Sequence, residues 1–302
     1  MQSSLENLSD ELAKLVERFQ SEVVAVHARP HYPSSGVVWR AGLVVTADDA
    51  VRREEDIQIT LPDGTTTGAT LAGRDPGTDI AVLKADGLDA PTDHAGAGDA
   101  VKVGELALVL GRSPDSGPNA SLGVVSAFSG PWRTWRGGRL DHYIRLDATL
   151  FPNSSGGAVV GAQGRMLGIA TSALSRIAGL AIPSSTVNRV VDGLLEKGYV
   201  PRGYLGIAVQ PVAIPETLRA KLSLPNQSGV IVVNVEPGGP ADHAGVLLGD
   251  ILVSLGSTPL EDIEDLQSLS DSGVIGKPAS LKLIRAGSLQ EVSVIVGERS
   301  GR

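Results

Sequence analysis

The stretch Phe151–Val160 reads FPNSSGGAVV, a serine ahead of two glycines and an apolar run, which is the composition of a loop that presents a nucleophile. A serine hydroxyl is a poor nucleophile without a base beside it. The chain holds five histidines, His27, His31, His94, His142 and His243, and no cysteine. His142 is the least remote from Ser155 in sequence, but the strand between them is expected to carry it away. A base is defined by its place in space, so none of the five is excluded by spacing alone. A second acidic candidate lies in RDPGTDIAVLKAD, where Asp79 precedes an apolar run; by itself this also fits a buried strand with a capping aspartate.

The elements that must position these residues are short. From Glu22 onward the runs EVVAVHARP, SGVVWRAGLVVTA, DIQITLPDGTTTGATLAG, DIAVLKAD, ELALVLG, LGVVSAF, HYIRLDATL, GGAVVGAQGRMLGIATSA and GLAIP are β-rich and punctuated by Gly, Pro, Asp and Ser. LPDGT and GAQGR read as hairpin turns. The pattern is that of an all-β barrel or sandwich, closed by a helix at SSTVNRVVDGLLEKG that starts near Ser184 or Ser185 and stops before Gly198. Residues 199–302 read as a separate small unit with strands at YLGIAVQPV, GVIVVNV, DILVSLG, ASLKLIRAG and QEVSVIV. A short helix is expected following GGPADHAG and a longer one over EDIEDLQSLSDSG. Ahead of everything, residues 3–20 form an amphipathic helix with Leu5, Leu8, Leu12, Leu15, Val16 and Phe19 on one face and a capping box at Ser3 and Glu6. That stripe packs either on the chain's own body or on another subunit.

Composition bounds the function classes. The chain has 302 residues, enough for two domains, and is 42% hydrophobic and 20% charged, as soluble globular proteins are. Its net charge of −8 lacks the basic footprint of a nucleic-acid binder. Without cysteine there are no disulfides or thiolate metal sites, and no metal-ligand spacing, phosphate-binding glycine loop or dinucleotide fingerprint is visible, so neither metal nor cofactor is expected. No apolar stretch reaches membrane-spanning length, and the first residues lack a basic start followed by an apolar core. The expectation is a cytoplasmic protein, or an exported one whose leader was removed.

The order RDPGTDIAVLKAD, NSSGGAVVGAQGRMLGIATSA, GLAIPSSTV resembles the HtrA/DegP family of trypsin-like serine proteases. That family carries its triad acid in D-x-x-x-D-I-A-V-L-K and its serine in G-N-S-G-G-P-L-V, followed by G-F-A-I-P-S. The second unit resembles the family's PDZ domain: YLGI (Tyr204, Leu205, Gly206, Ile207) matches the carboxylate-binding loop, and EPGGPADHAGVLLGDILVSLG matches S-P-A-x-x-A-G-L-x-x-G-D-x-I. The resemblance covers the chain from residue 22 onward. It implies a mainly β fold, a trypsin-like double β-barrel followed by a small α+β PDZ domain, organised as residues 1–21 (helix), 22–198 (barrels) and 199–302 (PDZ).

Residue by residue, the resemblance puts Ser155 on the nucleophile and Asp79 on the acid that orients a histidine. The histidine belongs in a T-N-x-H-V-V segment; here the matching place, thirty residues before Asp79, reads TADDAV, with Asp49 at the histidine position. A carboxylate, with an ordinary pKa of about 3.9, has little affinity for a serine proton, and two facing carboxylates would raise one another. Asn153 stands where a glycine normally supplies an oxyanion N–H. Asparagine tolerates unusual backbone angles, so a donor held under strain is expected there. Ser154 leaves a one-residue shift of the assignment open, though the glycines after Ser155 favour the latter, and Ala158 replaces the usual proline. The implied function is a catalytically inactive protease homologue that binds polypeptides or partner C-termini as a scaffold, chaperone or regulator. The alternative is an active endopeptidase using Ser155 and Asp79 with an unrecognised base. The resemblance also implies a homo-oligomer, a trimer being the family's common state. The loop GPWRTWRGGRL, with Trp132 and Trp135 among arginines, is either a partner contact or a hairpin packed back on its own barrel.

Overall fold

The computed structural model of the chain describes residues 4–30, 32–89, 101–263, 265–266 and 274–299. Two compact units meet in sequence at Val200 and Pro201. The fold is mainly β, two closed six-stranded barrels and then a separate antiparallel sheet, as the double-barrel reading expects.

In the first unit, helix α1 (Ser4–Phe19) leads into β1 (Val23–His27), β2 (Ser34–Arg40), β3 (Leu43–Ala47), β4 (Ile57–Thr60), β5 (Thr66–Asp75) and β6 (Ile80–Lys84), closed in the order β1-β2-β3-β6-β5-β4. A single 3₁₀ turn, Asp48–Ala50, follows β3. The second barrel uses β7 (Leu106–Ser113), β8 (Gly117–Ser129), β11 (Tyr143–Asp147), β12 (Ala158–Gly161), β13 (Met166–Thr171) and β14 (Gly179–Pro183), with a small ribbon of β9 (Trp132–Arg133) and β10 (Arg139–Leu140) between. Helix α2 (Ser184–Lys197) ends on Gly198 in the left-handed region, the expected stop.

Continuous apolar runs, rather than strict alternation, have a simple cause: these strands are buried on both faces. Val24, Val26, Val44, Ile57, Ile59 and Leu83 fill the first barrel. Val109, Val125, Ile144, Val159 and Leu167 fill the second. The alternating partners Val23, Val37, Val45, Ile80, Val82, Leu110, Ala158, Val160 and Ile169 face outward into a third core between the barrels, which α2 covers with Val187, Val190, Val191 and Leu194. The stripe on α1 divides: Leu12, Leu15, Val16 and Phe19 join this inter-barrel core, whereas Leu5 is 77% and Leu8 44% exposed.

The second unit holds β15 (Arg202–Tyr204), β16 (Ile207–Ala213), β17 (Ser228–Val235), β18 (Ile251–Leu255), β19 (Thr258–Pro259), β20 (Pro278–Arg285), β21 (Ser288–Ile295) and β22 (Gly297–Arg299). The main sheet runs β16-β17-β18-β20-β21, and β15 pairs with β22. Two expectations are corrected here. The short helix, α4 (Pro240–His243), lies inside GGPADHAG rather than after it, because Pro240 serves as a first helical residue. A further helix, α3 (Glu216–Leu222), went unforeseen; its seven residues are too few to show a period. Ser3 of the capping box and most of EDIEDLQSLSDSG lie outside the described residues.

All three tryptophans sit in the first unit, so their fluorescence reports on it alone. At dilutions where the chain is monomeric, Phe19→Ala is expected to lower that unit's unfolding free energy by about 3 kcal/mol in urea titrations, and Leu5→Ser to leave it within about 0.5 kcal/mol.

Candidate active site

The acid is the best-anchored group in the site. Asp79 has no exposed surface. Its Oδ1 accepts the Asp49 backbone N–H at 2.8 Å, and its Oδ2 accepts the Thr171 hydroxyl. Its own carbonyl accepts the Asp48 N–H at 3.1 Å. The backbone there is left-handed, with φ +59°, a conformation uncommon for a residue with a Cβ. The preceding RDPGT segment produces it. Asp75 accepts the Gly77 N–H and the Thr78 hydroxyl, folding the chain back on itself. Arg74 clamps the facing turn through Asp48 Oδ1 at 2.5 Å and the Asp48 and Val51 carbonyls. Burial pushes the Asp79 carboxyl up to about 6; the bonds from Thr171 and the Asp49 N–H oppose this, and the charges of Asp48 and Asp49 add to it.

Asp49 touches Asp79 only through its main chain. Its side chain, half-exposed, pairs with Arg52 at 2.5 Å. The expected face-to-face carboxylate pair is therefore replaced by a backbone N–H on one carboxylate and an arginine on the other.

The serine loop reaches the same place by a different route. Gly156 donates to the Ala170 carbonyl at 2.8 Å, and Ala170 donates to the Gly157 carbonyl at 2.8 Å. The next residue along β13, Thr171, holds Asp79. Gly156 has φ +83°, and a Cβ there would lie 2.3 Å from the Ser35 carbonyl and 2.8 Å from the Ala47 nitrogen. The loop thus abuts the end of β3, just ahead of the turn that carries Asp49. Ser154 is buried, with a hydroxyl that has no partner among the described residues, while Ser155 is partly exposed. Of the two, Ser155 is the accessible hydroxyl.

Ser35, Arg29 and Thr171 were not singled out in the sequence, yet they hold the loop. Ser35 donates its N–H to the Ser155 carbonyl at 3.1 Å and its hydroxyl to the Asn153 carbonyl at 2.6 Å. Arg29 donates to the Pro152 carbonyl at 2.8 Å. Gly157 donates to the Ser154 carbonyl at 2.9 Å. In a trans peptide the N–H points opposite its carbonyl, so the Arg29 and Gly157 contacts fix the directions of the Asn153 and Ser155 N–H groups. Neither N–H donates to another described residue. The strain expected at Asn153 is absent, since it has no positive φ; Asp79 and Gly156 carry the unusual backbone instead. Ser35 and Thr171 left no sequence signal because single Ser and Thr residues in β-runs are commonplace.

The histidines are elsewhere. His27 Nε2 is 2.8 Å from Thr60 Oγ1, and burial, with Arg53 nearby, lowers its pKa. His142 stacks on Phe128 with ring centroids 5.2 Å apart. His243 closes α4 in the second unit. His31 and His94 lie outside the described residues. The tryptophan loop splits: Trp132 packs edge-on against Tyr143, and Thr134 donates to the Gly77 carbonyl at 2.7 Å, bracing the turn before Asp79. Trp135 is 71% exposed, with the Arg136 guanidinium 4.7 Å from its ring centre.

In the second unit, the Tyr204–Ile207 loop spends its carbonyls inward. Ala241 donates to the Leu205 carbonyl and Glu236 to the Gly206 carbonyl, both at 2.8 Å. The following N–H groups, of Gly206 and Ile207, therefore point the other way. Gly206, at φ +75°, makes the bend. Two adjacent outward N–H groups are an anion-receiving arrangement.

A trypsin-like peptidase domain model matches residues 34–169, and a PDZ domain model matches residues 203–296. A probable periplasmic serine endoprotease, DegP-like, of Brucella suis is 34% identical over 278 residues, covering 89% of this chain and 53% of that protein. One of Rhizobium meliloti with the same description is 32% identical over 276 residues, covering 89% and 54%. The chain thus spans about half the length of the curated relatives it matches. Among solved structures, an HtrA-type protease AlgW with tripeptide is 30% identical with a TM-score of 0.74, covering 96% of this chain and 98% of that one. A serine endoprotease from Yersinia pestis is 27% identical with a TM-score of 0.73, covering 95% and 98%.

The raised Asp79 carboxyl has a stability consequence of definite sign. The folded state binds this proton more tightly than the unfolded chain, so the ionised form costs stability, fully above about pH 6 and not at all below about pH 4. Asp79→Asn removes the titration. Its unfolding free energy relative to wild type is expected to rise by up to about 3 kcal/mol between about pH 4 and about pH 7 in paired urea titrations. A difference that stays flat with pH would contradict this.

Proposed function

We propose that this chain, which belongs to the HtrA/DegP-like family of trypsin-fold serine proteases with a PDZ domain, is a pseudoprotease that keeps the acid and serine loop of its family without the base that joins them. The observation that carries the reading is Asp49. It stands at the turn against Asp79 where the sequence pattern calls for histidine, and its side chain goes to Arg52. A neutral imidazole donates to the acid through one nitrogen and accepts the serine proton through the other. An ionised carboxylate only accepts, so it can neither be oriented by Asp79 nor shuttle a proton to a leaving group. None of the described histidines contacts Asp79.

The remaining activity is recognition. The outward N–H groups of the Tyr204–Ile207 loop support capture of a polypeptide's C-terminal carboxylate, the peptide lying as an added strand beside β16. Such a protein acts as a scaffold, chaperone or regulator of partners it does not cut. The exposed Leu5 and Leu8 on α1 leave apolar surface for a second subunit, and the family resemblance favours a homotrimer. The periplasmic description of the relatives supports the exported alternative over a cytoplasmic one.

The second reading is an active endopeptidase that uses Ser155 and Asp79 with an unrecognised base. It is favoured by the relatives' description as endoproteases and by the unengaged Asn153 and Ser155 N–H groups, which suit an oxyanion. Casein hydrolysis separates the two. Wild type is expected to match Ser155→Ala, both at background, because losing one triad member costs several powers of ten in rate. Asp49→His is expected to raise hydrolysis above wild type, and Asn153→Gly to add nothing, since the Asn153 backbone is unstrained and its N–H is already unengaged. Cleavage by wild type that Ser155→Ala abolishes would establish the second reading instead.

A further inference from the structure

The pairing pattern at the edge of the second unit sets how much of a bound peptide can be read. Strand β16 is the outermost strand of its sheet among the described residues. Its neighbour β17 shows which of its residues face outward. Val232 donates to the Asp250 carbonyl at 2.8 Å and accepts the Gly249 N–H at 2.9 Å, so both its backbone groups turn away from β16. Val209, opposite Val232, therefore has no ladder bonds to β17 and turns its own N–H and C=O to the open edge. Pro211 is opposite Val230 in the same phase. At the other end, the Gly206 carbonyl is taken by Glu236, so Ile207 is outward too. The open edge thus presents Ile207, Val209 and Pro211 in turn, and the third has no N–H to give.

We infer that Pro211 is a specificity-determining residue that ends strand pairing with a bound peptide after its last few residues. The inference rests on the carboxylate-capture reading above. A peptide whose carboxylate sits at the Tyr204–Ile207 loop runs antiparallel to β16. Its last residue then lies opposite Ile207, the third from last opposite Val209, and the fifth from last opposite Pro211. The carbonyl of that fifth residue meets a ring carbon where the ladder needs a donor. Only that residue's own N–H, donating to the Pro211 carbonyl, still pairs there, so affinity is set chiefly by the extreme C-terminus and depends little on the sequence before it. Proline on an exposed edge also blocks uncontrolled pairing with other strands, which suits a module that must release what it holds.

The test uses the full chain and N-acetylated, alanine-based peptides of three and eight residues that share one valine-terminated sequence, each as free acid and as amide, with Kd read by isothermal titration calorimetry. Wild type is expected to bind the two free acids within about twofold of each other. Pro211→Val restores a donor and is expected to tighten the eight-residue peptide by about fivefold, the worth of one backbone hydrogen bond, and to leave the three-residue peptide, which has no carbonyl at that place, unchanged. Wild type binding the longer peptide at least about fivefold tighter, or Pro211→Val leaving it unchanged, would overturn the inference. Equal binding of acids and amides is a separate result: it would remove the carboxylate reading itself, and this inference with it.

Discussion

One buried carboxyl organises the first unit. Asp79 has no exposed surface, a left-handed backbone, and bonds on each oxygen, to the Asp49 N–H and to the Thr171 hydroxyl. Those bonds tie the turn after β3 and the end of β13 to the bend before β6. The serine loop hangs from the same strand through Ala170 and from β2 through Ser35. Burying an anion opposes folding, and desolvation pushes this one up to about 6. The surrounding donors, the Arg74 clamp and the turn at Asp75 are what make the position tolerable.

That network holds the site's backbone in place whatever side chain stands at position 49. The contact between position 49 and Asp79 is made by a main-chain N–H, which every residue but proline supplies. The fold thus constrains the backbone at 49 and leaves the side chain free. An aspartate there finds Arg52 and disturbs nothing in the core. A serine triad, by contrast, depends wholly on the side chain of its base. In the second unit the proposed carboxylate capture runs the other way: it uses backbone groups of the Tyr204–Ile207 loop, and so rests on the shape of the chain at Gly206 more than on side chains.

Much of this was legible in the sequence because it was written in local patterns. The runs around Val24, Val44 and Val159 carry the apolar density of strands buried on both faces, and Gly198 marks the end of α2. Ser155 and Asp79 stood out through their flanking glycines and through the RDPGTD turn. What stayed hidden was long-range or short. Ser35 acts on a loop more than a hundred residues away, and nothing beside it in sequence announces that. The division of the α1 stripe between buried Phe19 and exposed Leu5 follows from where the barrels end, not from periodicity. The role of Pro211 emerges only once the register of β16 on β17 is known.

Whether Ser155 is an activated nucleophile is the point on which the functional reading turns, and intact-mass analysis after exposure to a fluorophosphonate measures it directly. A serine without a base reacts slowly with such a reagent, whereas a triad serine is modified to completion. The expected result is an unmodified chain under conditions that label trypsin fully. One phosphonyl adduct per chain, mapped to Ser155 and absent in Ser155→Ala, would contradict it.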